Sequence, residues 1–192
     1  MRKIRGFRLR LPVKETRRRT RKAVDLAALG LAEEPRFSRY LDEFSASLQP
    51  AVIFDSFGPE SMDTEAFAPI PGLAHTLGLA TLGPETSQKA AEERGRGEAH
   101  GKLYDLCAGL ALEASVQFVI GLITDEVEAE RCDLSPIQYL TDAEALGLAL
   151  EKLEGSKIGI KLEANRLVPE YSAAFCLSWI SRRRSKSGRT KT

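Results

Sequence analysis

The sequence predicts an α+β fold: a single domain in which a mixed or antiparallel sheet packs against a long central helix. Three observations carry that expectation. At 192 residues the chain is long enough for one domain with a sizeable core. Glu98 to Ile123 places Leu103, Leu106, Cys107, Leu110, Ala111, Ala114, Phe118 and Leu122 at spacings of three and four, the period of one helix face. Helix-like and strand-like stretches are mixed along the chain, with no sustained βαβ rhythm and no internal repeat.

In order, Ile4 to Val13 alternates Phe7, Leu9 and Leu11 with Arg8 and Arg10, the pattern of a half-buried strand whose continuation Pro12 limits or which it places on an edge. Lys14 to Leu29 reads as a helix stopped by Gly30, and Pro35 to Leu48 as a second, ended by Pro50. Ala51 to Phe57 is a short strand, and 58–71 is rich in Pro, Asp, Glu and Ser and reads as loop. Pro71 to Leu82 reads as a core strand, and Glu85 to Glu93 as a short helix with Pro84 at its first turn. Gly95 and Gly97 break the chain before the long helix, which Thr124 to Arg131 continues or ends. Leu134-Ser135-Pro136 is a turn. Thr141 and Glu144 have capping-box spacing before a helix whose Leu146, Leu148, Leu150 and Leu153 face inward and which Gly155 closes. Ile158 to Leu162 alternates as a strand, Asn165 to Pro169 connects, and Ser172 to Ile180 is a final apolar strand.

Charge is distributed unevenly. Residues 1–22 carry eleven Lys/Arg and one acid, Glu15, and residues 182–192 carry six Lys/Arg and no acid. The body, 23–181, holds eleven basic and twenty-six acidic residues, a net of −15. The chain therefore divides into a basic N-terminal segment, 1–22, with a candidate edge strand; a domain over 23–181; and a basic tail over 182–192, expected to be disordered. Such ends suit an anionic partner, a phosphate or a membrane surface, and serve equally as solvated termini. Cys107, Cys132 and Cys176 are odd in number and in no CxxC spacing, which fits a reducing, cytoplasmic setting without a zinc site. His75 and His100 have no second histidine at ligand spacing. The basic start lacks an uninterrupted apolar run, so no secretory signal is expected, and Lys102, Asp105, Glu113 and Gln117 interrupt the long apolar run, so no transmembrane segment is expected. GxGxxG, Walker and GxSxG sequences do not occur, which removes the motif support for nucleotide-phosphate binding and nucleophilic hydrolysis.

Four stretches occur in an order that points further: Thr81-Leu82-Gly83-Pro84-Glu85; Tyr104-Asp105 through Glu113; Leu134-Ser135-Pro136 followed by Thr141 to Leu153; and Ile158-Gly159-Ile160-Lys161-Leu162 with Pro169 and Ser172. Over Leu77 to Ser178 they resemble the activation domain of cobalamin-dependent methionine synthase and the stand-alone proteins of that fold. The resemblance implies an accessory protein that serves a corrinoid methyltransferase. Such a domain binds S-adenosylmethionine and presents its methyl group to cobalamin held by a partner, the corrinoid protein or methyltransferase subunit, while a flavodoxin-type donor reduces it. The family's R-F-S-P-G-Y turn holds the sulfonium ligand. Here Asp133 stands in the place of the Arg, Ile137 and Gln138 replace Gly-Tyr, and Tyr139 comes one place late. Glu163, Ala164 and Asn165 stand for T-E-S, and Tyr171 stands for Lys. The implied binding residues are Arg131, which substitutes if the loop shifts by two, with Ser135, Pro136 and Tyr139 of the turn and Asp105 and Glu113 of the long helix. Two other readings remain open at this point: an assembly subunit that kept the fold and lost the methyl-donor site, and nucleic-acid association through the basic termini, although few aromatics interleave them.

Overall fold

Three largely apolar segments, buried along half or more of their length, form the middle of the sheet. β1 is Arg2–Arg5, β2 Ala51–Phe57, β3 His75–Thr81, β4 Cys132–Leu134, β5 Gln138–Tyr139 and β8 Ser172–Ser181. The computed structural model describes residues 1–61, 67 and 69–182. The strands run in the order β1-β2-β3-β8-β4, with β5 also pairing β8, and every pairing is antiparallel. β6 (Lys161–Glu163) and β7 (Arg166–Val168) form a separate hairpin. The helices are α1 (Val13–Thr20), α2 (Glu34–Ala46), α3 (Pro84–Arg96), α4 (Glu98–Ala129) and α5 (Ala143–Lys152). The α+β class and the single domain with its long central helix are as the sequence predicts.

Side-chain alternation divides the core by sheet face. Val52, Phe54, Ala80, Phe175 and Leu177 meet Val116, Val119, Ile123 and Val127 of α4 on one face. Ile53, Leu77, Leu79, Ala174 and Cys176 meet Ala145, Leu146 and Ala149 of α5 on the other. The first half of α4 joins α1, α2 and α3 in a third cluster around Phe37, Phe44, Tyr104 and Cys107. Burying about ten large side chains per face, each worth roughly 1.5–3 kcal/mol, makes these clusters the main source of stability. α4 is the one helix among the described residues long and apolar enough to cross a membrane, by length and composition only. One of its faces is the sheet's cover.

The N-terminal strand differs from expectation. It spans Arg2–Arg5, not 4–13, because Gly6 takes φ +63 and its N–H donates to the Pro50 carbonyl, turning the chain off the sheet edge. Leu9 and Leu11 are buried all the same, in the helical cluster. α1 stops at Thr20, not Leu29, because Asp25 Oδ1 accepts from the N–H groups of Ala27 and Ala28 and so holds a turn. α3 runs through Gly95 to Arg96, so Gly97 alone makes the break. α5 is capped by Asp142 rather than Thr141: the Asp142 carboxylate accepts from Glu144 and Ala145 N–H. Leu148 is 38% exposed, not inward. Gly155–Ile158 is a 3-10 turn, and Gly159 at φ +77 precludes a strand from 158. The expected connector at 165–169 contains β7, joined to β6 through Ala164 and Asn165, both at positive φ. Residues 62–66, 68 and most of the basic tail, 183–192, lie outside the described residues.

Candidate functional site

A cleft of about 840 Å³ opens between β5 and the strand following it in space, β8, on one side and the β6–β7 hairpin on the other. Tyr139, Leu140 and Thr141 form one wall; Glu163 to Glu170 form the other; Leu146 and Ala174 lie among its lining. Its volume is that of a small-molecule site. Leu140 also packs in one cluster with Ile158 and Ile160, which fixes the bend against the segment leading into the hairpin.

Hydrogen bonds explain how the bend is held. The Ser135 N–H donates to the Ser178 carbonyl, and the Ser178 N–H donates to Ser135 Oγ, both at 2.9 Å. Ser135 Oγ donates in turn to the Pro136 carbonyl. Ser135 is 6% exposed and saturated by these bonds, so it ties the turn to β8, while Pro136 is exposed. The Leu140 N–H donates to the Ala174 carbonyl. Tyr139 is therefore presented on a short strand with 44% of its surface open. Partial burial, with the Glu113 carboxylate adding to it, raises the Tyr139 phenol above its ordinary pKa, so it is neutral and able to donate at physiological pH.

The hairpin wall is held by an arginine. Arg94 of α3 binds the Asp105 carboxylate of α4 at 2.9 Å and forks onto Glu170 at 2.7 and 3.1 Å. The Tyr171 hydroxyl donates to Asp105 Oδ1 at 2.6 Å, and the Glu170 N–H donates to Ser87 Oγ. Burial and the Asp105 carboxylate both raise the Tyr171 pKa, keeping that proton in place. Asp105 thus acts on the cleft at one remove, through Arg94 and Glu170. By contrast Glu163 and Arg166, opposite each other in the hairpin register, form no side-chain ion pair or hydrogen bond among the described residues. An acceptor and a forked donor at the mouth are left with capacity to spare.

The other expected residues sit elsewhere. Arg131 follows α4 at φ +56; its carbonyl accepts from the Arg182 N–H, and it is not among the cleft's lining. Asp133 is held by Arg182 at 2.8 Å. Glu113 pairs with Arg19 at 3.1 Å. The basic N-terminal segment spends charges on the acidic body, Arg2 on Glu126 and Arg19 on Glu113, while Arg18 and Arg19 also bracket the segment's own Glu15, whose carboxyl their hydrogen bonds hold down to about 2. The histidines and cysteines gather into no metal cluster among the described residues. Sequence reasoning reached Tyr139 but missed Glu163, Arg166 and Glu170 as lining. The signal was the Ala164-Asn165 pair, since Asn tolerates positive φ and marks a two-residue hairpin turn.

A scan against protein-family models finds no match, and a search of curated proteins finds none.

Proposed function

We propose that this protein is an accessory protein of a corrinoid-dependent methyltransferase and that its cleft takes S-adenosylmethionine. One observation carries the reading. Tyr139 to Thr141, which follow the Leu134-Ser135-Pro136 turn, and Glu163 to Glu170, which follow Ile158 to Leu162 and include Pro169, face each other across one cleft, so the chain just after each of two stretches that carry the resemblance meets at one place. The lining suits the ligand. Tyr139 offers an aromatic face to a sulfonium or an adenine ring. The Glu163 carboxylate attracts the ligand's positive end, and the Arg166 guanidinium donates a fork of N–H groups to its carboxylate. Leu140, Leu146 and Ala174 exclude water from its apolar parts. Bound there, S-adenosylmethionine would supply an electrophilic methyl group to a reduced corrinoid held by the partner. The chain's own residues bind and orient it, and the Arg94 network keeps the hairpin wall from drifting. Three free, buried cysteines fit a reducing, cytoplasmic location.

Isothermal titration with S-adenosylmethionine tests the reading. Saturable heat is expected, weakened about five- to thirty-fold by Tyr139→Ala, the loss of a cation–π contact of roughly 1–2 kcal/mol. S-adenosylhomocysteine, which lacks the positive sulfur, should bind less tightly. Absence of heat with both ligands removes the methyl-donor role.

The second reading, an assembly subunit without a methyl-donor site, is favoured by one specific feature. Position 133 carries Asp bound to Arg182, and Arg131 lies off the cleft, so the bend brings no cation to the ligand. Binding of a corrinoid methyltransferase by a protein that gives no heat with S-adenosylmethionine would select it. Nucleic-acid association would instead require a steep salt dependence that disappears when 183–192 is removed.

A further inference from the structure

The chain leaves the sheet at Gly6, where φ +63 and the bond from its N–H to the Pro50 carbonyl turn it away from β1. Phe7 to Leu11 then keep the alternation of a strand. Phe7 stacks on Phe118 of α4, and Leu9 and Leu11 are buried in the helical cluster, whereas Arg8 and Arg10 are exposed. The segment nevertheless belongs to no sheet. Among the described residues, the N–H and C=O groups of Phe7 to Leu11 have no hydrogen-bond partner, although the flanking Gly6 N–H and Pro12 carbonyl do. A segment anchored by three apolar side chains thus offers a free row of main-chain donors and acceptors, as an edge strand does.

Beside this segment lies a groove of about 430 Å³, bounded on its other bank by α2. Asp42, Ser45 and Ala46 of α2 line that bank, and Leu48 and Pro50 lie beyond them. Arg8 and Arg10 form the near bank, and Lys14 follows them in the chain. None of these three cations makes an ion pair or a side-chain hydrogen bond among the described residues. No residue lines both this groove and the cleft, so the two surfaces are separate.

We propose that Phe7 to Leu11 accept an added β-strand from a partner protein, a segment in which acidic residues alternate with small apolar ones. Side chains of an added strand fall alternately to its two faces. Those facing inward lie over the groove, against Ala46, Leu48 and Pro50, where small apolar groups fit. Those facing outward stand beside Arg8 and Arg10, whose guanidinium forks are free to bind carboxylates. The Asp42 carboxylate on the far bank repels acids placed over the groove itself and so reinforces the alternation. Main-chain hydrogen bonds hold the strand, and the alternation selects the partner. Charge also argues against a second copy: two such segments paired with each other would set arginines opposite arginines.

Titration of the 15N-labelled full chain with a capped Glu-Val-Glu-Ala-Glu-Val-Glu peptide, up to about 1 mM, reads the contact residue by residue. Saturable shifts and slowed amide exchange are expected at Phe7 to Leu11. Two probes of the same sequence, N-methylated at alternate nitrogens in opposite phase, should differ in affinity by at least about tenfold, because only one set of N–H groups faces the segment. Arg8→Ala combined with Arg10→Ala should weaken binding several-fold and leave circular dichroism and the thermal midpoint unchanged, since both side chains are exposed and unpaired. Absence of saturable binding, equal affinity of the two methylated probes, or unchanged affinity in the double variant overturns the proposal. So does protection of Phe7 to Leu11 that rises with protein concentration when no peptide is added, which would assign the strand to a second copy.

Discussion

His75 is 1% exposed, stacks on Phe57 at 5.4 Å, and has both ring nitrogens without a hydrogen-bond partner among the described residues. Burial lowers its pKa and the Lys152 cation adds to that; the Leu73 carbonyl opposes both without forming a well-aligned bond. The unfolded chain therefore takes up this proton more readily than the folded one. Stability from a neutral His75 is complete above the unfolded pKa of about 6.5 and is lost as pH falls below it. Thermal melts between pH 7 and 5 should show a falling midpoint, and His75→Phe should flatten that limb. An unchanged slope in the variant would mean that other groups carry it. The burial was legible: His75, Leu77 and Leu79 alternate onto one face. The missing partners were not, because they depend on what crosses the strand. Gly78 makes the same point from the opposite face. An added Cβ there would lie 2.3 Å from the Phe175 ring, so Gly78→Ala should cost about 1–3 kcal/mol in urea unfolding by overpacking.

At the scale of elements, legibility follows length. α2, α4, β2 and β8 were readable because each spans enough residues to show a period, and neighbouring Pro50, Gly83 and Gly97 punctuate the chain. β4, β5, β6 and β7 have two or three residues each, too few for a period, and β4 and β5 exist only because β8 offers them an edge. That is why the candidate site was half-visible: Tyr139 was named from its motif, but the hairpin wall opposite was read as a strand and a loop. Helix ends are testable in the same terms. Asp142→Ala should remove about 1 kcal/mol by stripping the α5 cap, whereas Thr141→Ala should change stability little. At the other end of the preceding helix, Arg131 occupies the left-handed position where glycine is favoured. Arg131→Gly should therefore gain about 1 kcal/mol. Measured beside S-adenosylmethionine affinity, it also reads function. With Arg131 off the cleft, affinity should stay unchanged, and a loss would bring that residue back to the ligand.

For the whole molecule, the question is whether the helical cluster and the two sheet faces open together. The cysteines report on different parts: Cys107 lies in the helical cluster under α1 and α2, and Cys176 on the α5 face of the sheet. Both are fully buried, and burial pushes each thiol up to about 12, so neither is a thiolate nor reachable in the folded state. A thiol reagent must wait for opening, and its rate follows the population of the open form when closing is fast. If α4, which spans both the helical cluster and the sheet, couples them into one cooperative unit, Cys107 and Cys176 should be modified at rates within a few-fold of each other. Both rates should rise together in mild denaturant with the slope of global unfolding. Peptide mapping of partially labelled protein checks this. Labelling of Cys107 well ahead of Cys176, with a shallower denaturant slope, would show that the helical layer detaches as a separate unit and that α4 does not bind the two halves into one.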